Sequence, residues 1–211
     1  MAHNYANKRP RGRPRQYEPA RALQDARDAF WDGGFASTSL DDLSAATGMN
    51  RPSLYAAFGH KRALYLKTLD RYRELGRDAM RRALATNVPL AEALRRMYAS
   101  ALAIYLSGDR GARGCYLVGT AATEAVNDRE IRSAYASGLH ELDDLLENRM
   151  RQAVKRGELS RNADPRALAR VACAVMNGLA LRARAGDSGS ELNRIAGVAV
   201  QLICRGSAPV K

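Results

Sequence analysis

Two sets of side chains in this 211-residue sequence are spaced so that they could do chemistry. Cys115 follows Arg113-Gly114 and opens a stretch of helical periodicity. There the helix dipole and Arg110 or Arg113 would stabilise a thiolate, the form that reacts with electrophiles, oxidants or a soft metal. The other reading is an inert, buried cysteine. His140, Asp144 and Glu147 stand at i, i+4 and i+7, so one helical face carries all three, as metal ligands would. Glu141, Asp143, Arg149 and Arg151 around them mark a solvated helix side, and no metal site is assigned. No Ser/His/Asp grouping in recognisable context, phosphate-cradling GxxxxGKS or GxxxxGKT, or paired His/carboxylate motif stands in the chain. The expectation is a protein that is not an enzyme and needs no cofactor.

Charge points elsewhere. Lys+Arg number 34 against 22 Asp+Glu, a formal +12, and the basic residues divide into 29 Arg and 5 Lys. The planar arginine fork suits phosphate and guanine, although genome-wide composition produces the same bias. Residues 1–16 hold Lys8, Arg9, Arg11, Arg13 and Arg15 and no acid. No apolar run follows them, so they are not a secretory signal, and no stretch reaches the roughly 18 apolar residues of a membrane span. A cytoplasmic location and no membrane partner are expected. Cys115, Cys173 and Cys204 are odd in number and far apart, which argues against a disulfide framework or zinc.

The elements that must position these residues read as all-α, about nine helices rich in Ala, Leu and Arg. Pro19 starts a helix that stops at Gly33-Gly34. Ser39 with Asp42 resembles a capping box for a short helix ending at Gly48. Asn50 caps a third helix, with Pro52 in its first turn, ending at Gly59. A helix from Lys61 to about Ala85 follows, then helices at about 89–107, 114–125, 128–157, 165–186 and 189–204. The expected partition is a disordered basic arm over 1–17, a three-helix unit over 18–64 and a helical bundle over 65–211.

Leu40 and Leu43 share one face of the second helix, Met49 plugs the turn after Gly48, and Leu54 and Phe58 stand i, i+4 inside the third. This is helix-turn-helix spacing, which presents a short helix to the DNA major groove. The run from Thr38 to Leu64, with Leu54-Tyr55-x-x-Phe58-x-x-Lys61 at its centre and Ala29-Phe30-x-x-Gly33-Gly34-Phe35-x-x-Thr38-Ser39 upstream, closely resembles the tetracycline-repressor (TetR) family of bacterial one-component regulators. The resemblance covers about residues 19–72. It implies a homodimeric repressor that binds double-stranded operator DNA and leaves it when a small effector enters the C-terminal bundle. An architectural A·T-preferring DNA-binding protein and a small helical enzyme are the alternatives.

The resemblance gives Tyr55 and Lys61 phosphate contacts, and Thr38 and Ser39 at a helix start could add others. Arg51 and Ser53 are expected at base edges, Arg51 on guanine O6/N7, with Ala56 small enough to meet a thymine methyl. Pro52 replaces the glycine of many relatives. His60 replaces the usual small polar cap and would make DNA affinity mildly pH-sensitive. Ahead of this unit, Pro10-Arg11-Gly12-Arg13-Pro14 reproduces the core of an AT-hook, whose arginines enter the A·T minor groove; a plain electrostatic tail is the other reading.

For the effector the resemblance places a cavity in the bundle. Candidate lining residues are Met97, Tyr98, Ala101, Leu102 and Tyr105; Cys115, Tyr116, Gly119 and Thr123; Tyr135 and Leu139; and Met176 and Asn177. The Gly114-Cys115 opening resembles the subset with copper-responsive and thiol-reactive members. Leu168, Val171, Ala172, Val175, Leu179, Ile195, Val198, Ala199 and Leu202 recur at helical spacing on the last two helices, the expected dimer face.

The arm generates the first prediction. Replacing Arg11 and Arg13 by Ala lowers operator affinity and flattens its salt dependence by about 0.9 in log–log slope for each phosphate no longer neutralised; an unchanged affinity and slope would remove the arm from DNA binding.

Overall fold

The chain is described here by a computed structural model over residues 18–108 and 111–205. Among these residues every regular element is helical: α1 Pro19–Gly33, α2 Leu40–Thr47, α3 Arg51–Phe58, α4 Lys61–Ala83, α5 Leu90–Tyr105, a π-helical turn Leu117–Ala121 continuing into the short α6 Ala122–Glu124, α7 Arg129–Lys155, α8 Pro165–Arg184 and α9 Gly189–Arg205. Boundaries follow local chemistry. The Ser39 hydroxyl accepts from the Asp42 amide while the Asp42 carboxylate accepts from the Ser39 amide, a complete capping box. Asn50, Asp128 and Asp164 cap α3, α7 and α8 through their side chains.

One expected helix differs. The span 114–125 begins only at Tyr116 and winds first as a π-helix. The Thr120 hydroxyl donates to the Tyr116 carbonyl at 2.7 Å, a side-chain insertion into the backbone ladder of the kind that distorts helices.

Two hydrophobic cores result. The first gathers Phe30, Trp31, Leu43, Met49, Leu54, Phe58, Leu64, Tyr65 and Leu69 from α1–α4, together with Tyr116, Leu117, Ala121 and Ile131. The second lies among the C-terminal end of α4 and α5, α7, α8 and α9, with Met97, Tyr98, Leu146, Met150 and Leu192 fully enclosed. α4 therefore belongs to both, and the π-turn is packed into the core of the N-terminal helices.

Where the π-turn meets α4, inside the first core, the contact is polar. The Thr68 hydroxyl donates to the Tyr65 carbonyl at 2.6 Å, so it accepts from the Tyr116 phenol, 2.7 Å away. Thr120, whose proton goes to the Tyr116 carbonyl, likewise accepts from the Tyr65 phenol at 2.7 Å. All four side chains are buried. Burial holds both phenols above the ordinary tyrosine range, so they remain donors. Trp31 closes the edge, donating Nε1–H to the Arg113 carbonyl at 3.2 Å with the Arg113 guanidinium 4.4 Å over its ring.

Thr68→Val keeps the shape but leaves the Tyr116 hydroxyl buried without an acceptor. The expected destabilisation is about 1–3 kcal/mol, or roughly 2–10 °C in Tm by calorimetry, and a double Thr68→Val/Tyr116→Phe protein recovers part of it.

Candidate functional site

α2 and α3 are joined by Gly48, whose left-handed backbone (φ 65°) makes the sharp turn, and by Met49, buried beneath it. Leu43, Leu54 and Phe58 anchor the pair on α1 and α4, leaving the opposite side of α3 to solvent. Pro52, Tyr55 and Ala56 are exposed there, Ser53 is half-buried, and Arg51 stands at the first turn. Arg51 is not free. Its Nε and Nη2 make a paired contact with the two oxygens of Asp41 on α2, with Nε–Oδ1 at 2.8 Å. Asp41 lies ten positions away in sequence across the turn, and only the packing of α2 against α3 brings the two together.

The expected phosphate residues fare differently. Lys61, in the first turn of α4, reaches back to the loop before α2, donating to the Ala36 carbonyl at 3.2 Å with its ammonium 4.7 Å over the Phe35 ring. Partial burial lowers its pKa, opposed by Glu124 and Asp42. Tyr55 is 47 % exposed. Thr38 is buried, and its hydroxyl donates to the Gly34 carbonyl at 2.6 Å, holding the α1–α2 loop. Ser39 donates both hydroxyl and amide to the Asp42 carboxylate, at 2.7 and 2.8 Å. These bonds, the hydroxyl's first, hold the Asp42 carboxyl below its usual range. His60 is itself the cap of α4, its Nδ1 accepting from the Ala63 amide at 3.2 Å. Arg11 and Arg13 lie outside the described residues, as does Arg110.

Behind this head a cavity of about 310 Å³ opens between α4, α5, the π-turn, α7 and α8. Of the expected lining residues it takes Ala101, Tyr105, Cys115, Leu139, Met176 and Asn177, and adds Trp31, Tyr72, Gly76, Arg77 and Met80 from the N-terminal half. The remaining candidates sit elsewhere. Met97, Tyr98 and Leu102 are core, with the Tyr98 phenol donating to the Ala172 carbonyl at 3.1 Å. Tyr116 belongs to the hydroxyl seam, Gly119 lies against the Arg184 guanidinium, and Thr123 and Tyr135 lie outside the cavity wall. Periodicity placed all of these residues on helices; it could not tell which side of α5 meets α4 and which meets α8.

Cys115 is half-buried in the wall, with the Tyr72 hydroxyl donating to its Sγ at 3.5 Å. Burial first, then the neighbouring Cys115, raises the pKa of Tyr72 and Tyr105. Arg113, expected to activate the thiol, is instead held by Asp28 at 3.1 Å, Asp32 at 3.6 Å and the Trp31 ring. His140 and Asp144 stand in a polar groove with Arg166 and Arg170. Among the described residues no cluster of His, Cys, Asp and Glu could hold a metal ion, and no helix is long and apolar enough to cross a membrane.

A three-helix head with an outward-facing α3, carried on a helical body with a cavity against the shared α4, defines a helix-turn-helix transcriptional regulator. The chain belongs to the tetracycline-repressor family: residues 22–68 match the family of bacterial regulatory proteins of tetR type, and residues 91–198 match the tetracyclin repressor-like C-terminal domain. It is 30% identical to the HTH-type transcriptional repressor ComR of Escherichia coli K12 over 92% of this chain and 93% of ComR. A cysteine mutant of the TetR-family regulator CifR, solved with double-strand operator DNA, is 32% identical over 90% of this chain and 98% of its own, with a TM-score of 0.77. The fold is also that of a TetR-family regulator from Cytophaga hutchinsonii, at 21% identity over 92% of this chain and 95% of that one and a TM-score of 0.78.

Gly76 supplies a prediction separable from binding. It is helical, lines the cavity, and a Cβ added there meets no atom within 4 Å. Gly76→Ala should stabilise the protein by about 0.4–1 kcal/mol, raising Tm by roughly 1–4 °C, while narrowing the cavity. A lower Tm in calorimetry would mean that this stretch of α4 is not the regular helix described.

Proposed function

We propose that this protein is a homodimeric repressor that holds a palindromic operator and releases it when a small effector fills the cavity. The observation that carries the reading is the dual membership of α4: its first turn bears Lys61 beside the recognition helix, and Tyr72, Gly76 and Met80 on the same helix line the cavity. A ligand that favours one placement of α4 thereby favours one placement of the head, and effector and operator oppose each other through one equilibrium. The names of ComR, a repressor, and of the operator-bound CifR support the direction. We read residues 18–64 as the DNA-binding unit and 65–211 as the effector and dimer unit, with α4 carried across the division.

On DNA, α3 enters the major groove. The Asp41 carboxylate occupies the Nε–Nη2 edge of Arg51 and orients the fork, so its remaining edge is presented to guanine O6/N7. Tyr55 and Lys61 grip phosphates. Ser39 joins them only by giving up a bond to Asp42, and Thr38 acts by fixing the loop. Dimerisation uses α8 and α9, where Val171, Leu181, Val198 and Leu202 are exposed at 46–68 %. Of the residues expected on that face, Ala172, Leu179 and Ala199 point into the protomer's own core. A two-fold axis through these helices sets the two α3 helices about 34–36 Å apart, one turn of DNA.

Footprinting and titration on the operator test this. Lys61→Ala should weaken all sequences alike and reduce the salt slope by about 1, whereas Arg51→Ala costs about 1–3 kcal/mol and relaxes preference at one base pair in each half-site. Asp41→Asn reproduces part of the Arg51→Ala loss of preference without its full loss of affinity. Protection of long A·T-rich tracts with no defined site would overturn the operator reading.

A further inference from the structure

We propose that the effector is a monoanion, an apolar carboxylate, and that Arg77 holds its charge. The inference rests on the effector reading of the cavity and adds the charge of the ligand. Four arginines stand in the cavity wall. Arg27 is bound to Asp28 at 2.8 Å, Arg73 to Asp70 at 3.0 Å and to Glu141, and Arg113 to Asp28 and Asp32. The Nε of Arg73, Arg77 and Arg113 is buried without a partner in each case, but Arg73 and Arg113 have acids on their Nη atoms, whereas Arg77 has no ion pair or hydrogen bond among the described residues.

Acids close by in sequence are engaged elsewhere: Glu74 with Arg71 at 3.1 Å, Asp78 with Arg81 at 3.8 Å. Glu141, the acid in the wall, is held by Arg73. Among the described residues Arg77 is therefore the guanidinium of the wall that has no acidic partner, while Arg73 has two. A guanidinium stays protonated at every accessible pH, and a buried donor without an acceptor is costly, so the site is stabilised by a ligand that brings an acceptor and a negative charge.

The rest of the wall sets the body of that ligand. Trp31, Met80, Leu142 and Met176 offer apolar surface, and Asn177 adds one neutral amide. A cavity of about 310 Å³ lies at the small end of the range for small-molecule sites. One guanidinium without an acidic partner matches one carboxylate; the second charge of a phosphate dianion would find no free cation in the described wall. The planar carboxylate also meets the arginine fork through two parallel hydrogen bonds.

Calorimetric titration of the full chain with phenylacetate, hexanoate and octanoate, each beside the alcohol of the same skeleton, tests the assignment. The carboxylates should bind about tenfold tighter than their alcohols. Arg77→Gln should abolish that preference while leaving alcohol binding in place, and Gly76→Leu, which projects into open space, should weaken both. Equal binding of acid and alcohol to the unaltered protein, or a preference that survives Arg77→Gln, overturns the anion assignment and leaves the cavity reading standing. If neither member of any pair binds, the cavity reading falls and the proposal with it.

Discussion

The four buried hydroxyls between α4 and the π-turn are the constraint on which the rest of the molecule hangs. Tyr65 and Thr68 on α4 and Tyr116 and Thr120 opposite form a closed circuit in which each hydroxyl proton has one acceptor. Such a network is satisfied in one arrangement of the two elements and is costly in neighbouring ones. It therefore sets the angle at which the three-helix head meets the body. An apolar seam of similar area would tolerate sliding; this one favours discrete positions.

The two faces of the head divide their labour accordingly. Phe30, Leu43, Leu54 and Phe58 make a core that fixes α3 against α2, and the exposed side is left almost free of large apolar side chains except Tyr55. Electrostatics on that side are local. Arg51 is tied to Asp41, Lys61 to a carbonyl and a ring, and Asp42 to Ser39. The cationic groups are thus oriented before any anion arrives, which limits the side-chain entropy that binding must remove.

Most of the helices were legible because their ends are chemically marked. Pro19, the Ser39–Asp42 box and Asn50 each announce a start that the structure places within a residue or two. The head was legible further still, since its core residues and turn glycine stand at short, fixed spacing. What escaped is what depends on distant pairs. Asp41 carries no sign of Arg51, the π-turn follows from a threonine meeting a buried tyrosine, and the cavity draws Trp31 and Tyr72 from the N-terminal half. Met97, Tyr98 and Leu102 show the same limit from the other side: helical spacing marks them as inward-facing, and only the crossing of α5 with α8 decides that they are solid core.

α4 can also be considered as a lever. Its fastening to the π-turn lies at Tyr65 and Thr68, about 10 Å along the axis from Lys61 to Thr68, whereas Gly76 to Met80 lie about 12–18 Å beyond on the other side. With the pivot between them, a displacement at the cavity end reaches the DNA end reversed in direction and reduced in amplitude. The unequal arms trade travel for force: in the proposed release, a modest push from a ligand would act at the head with mechanical advantage, against contacts that need only a small misplacement to fail.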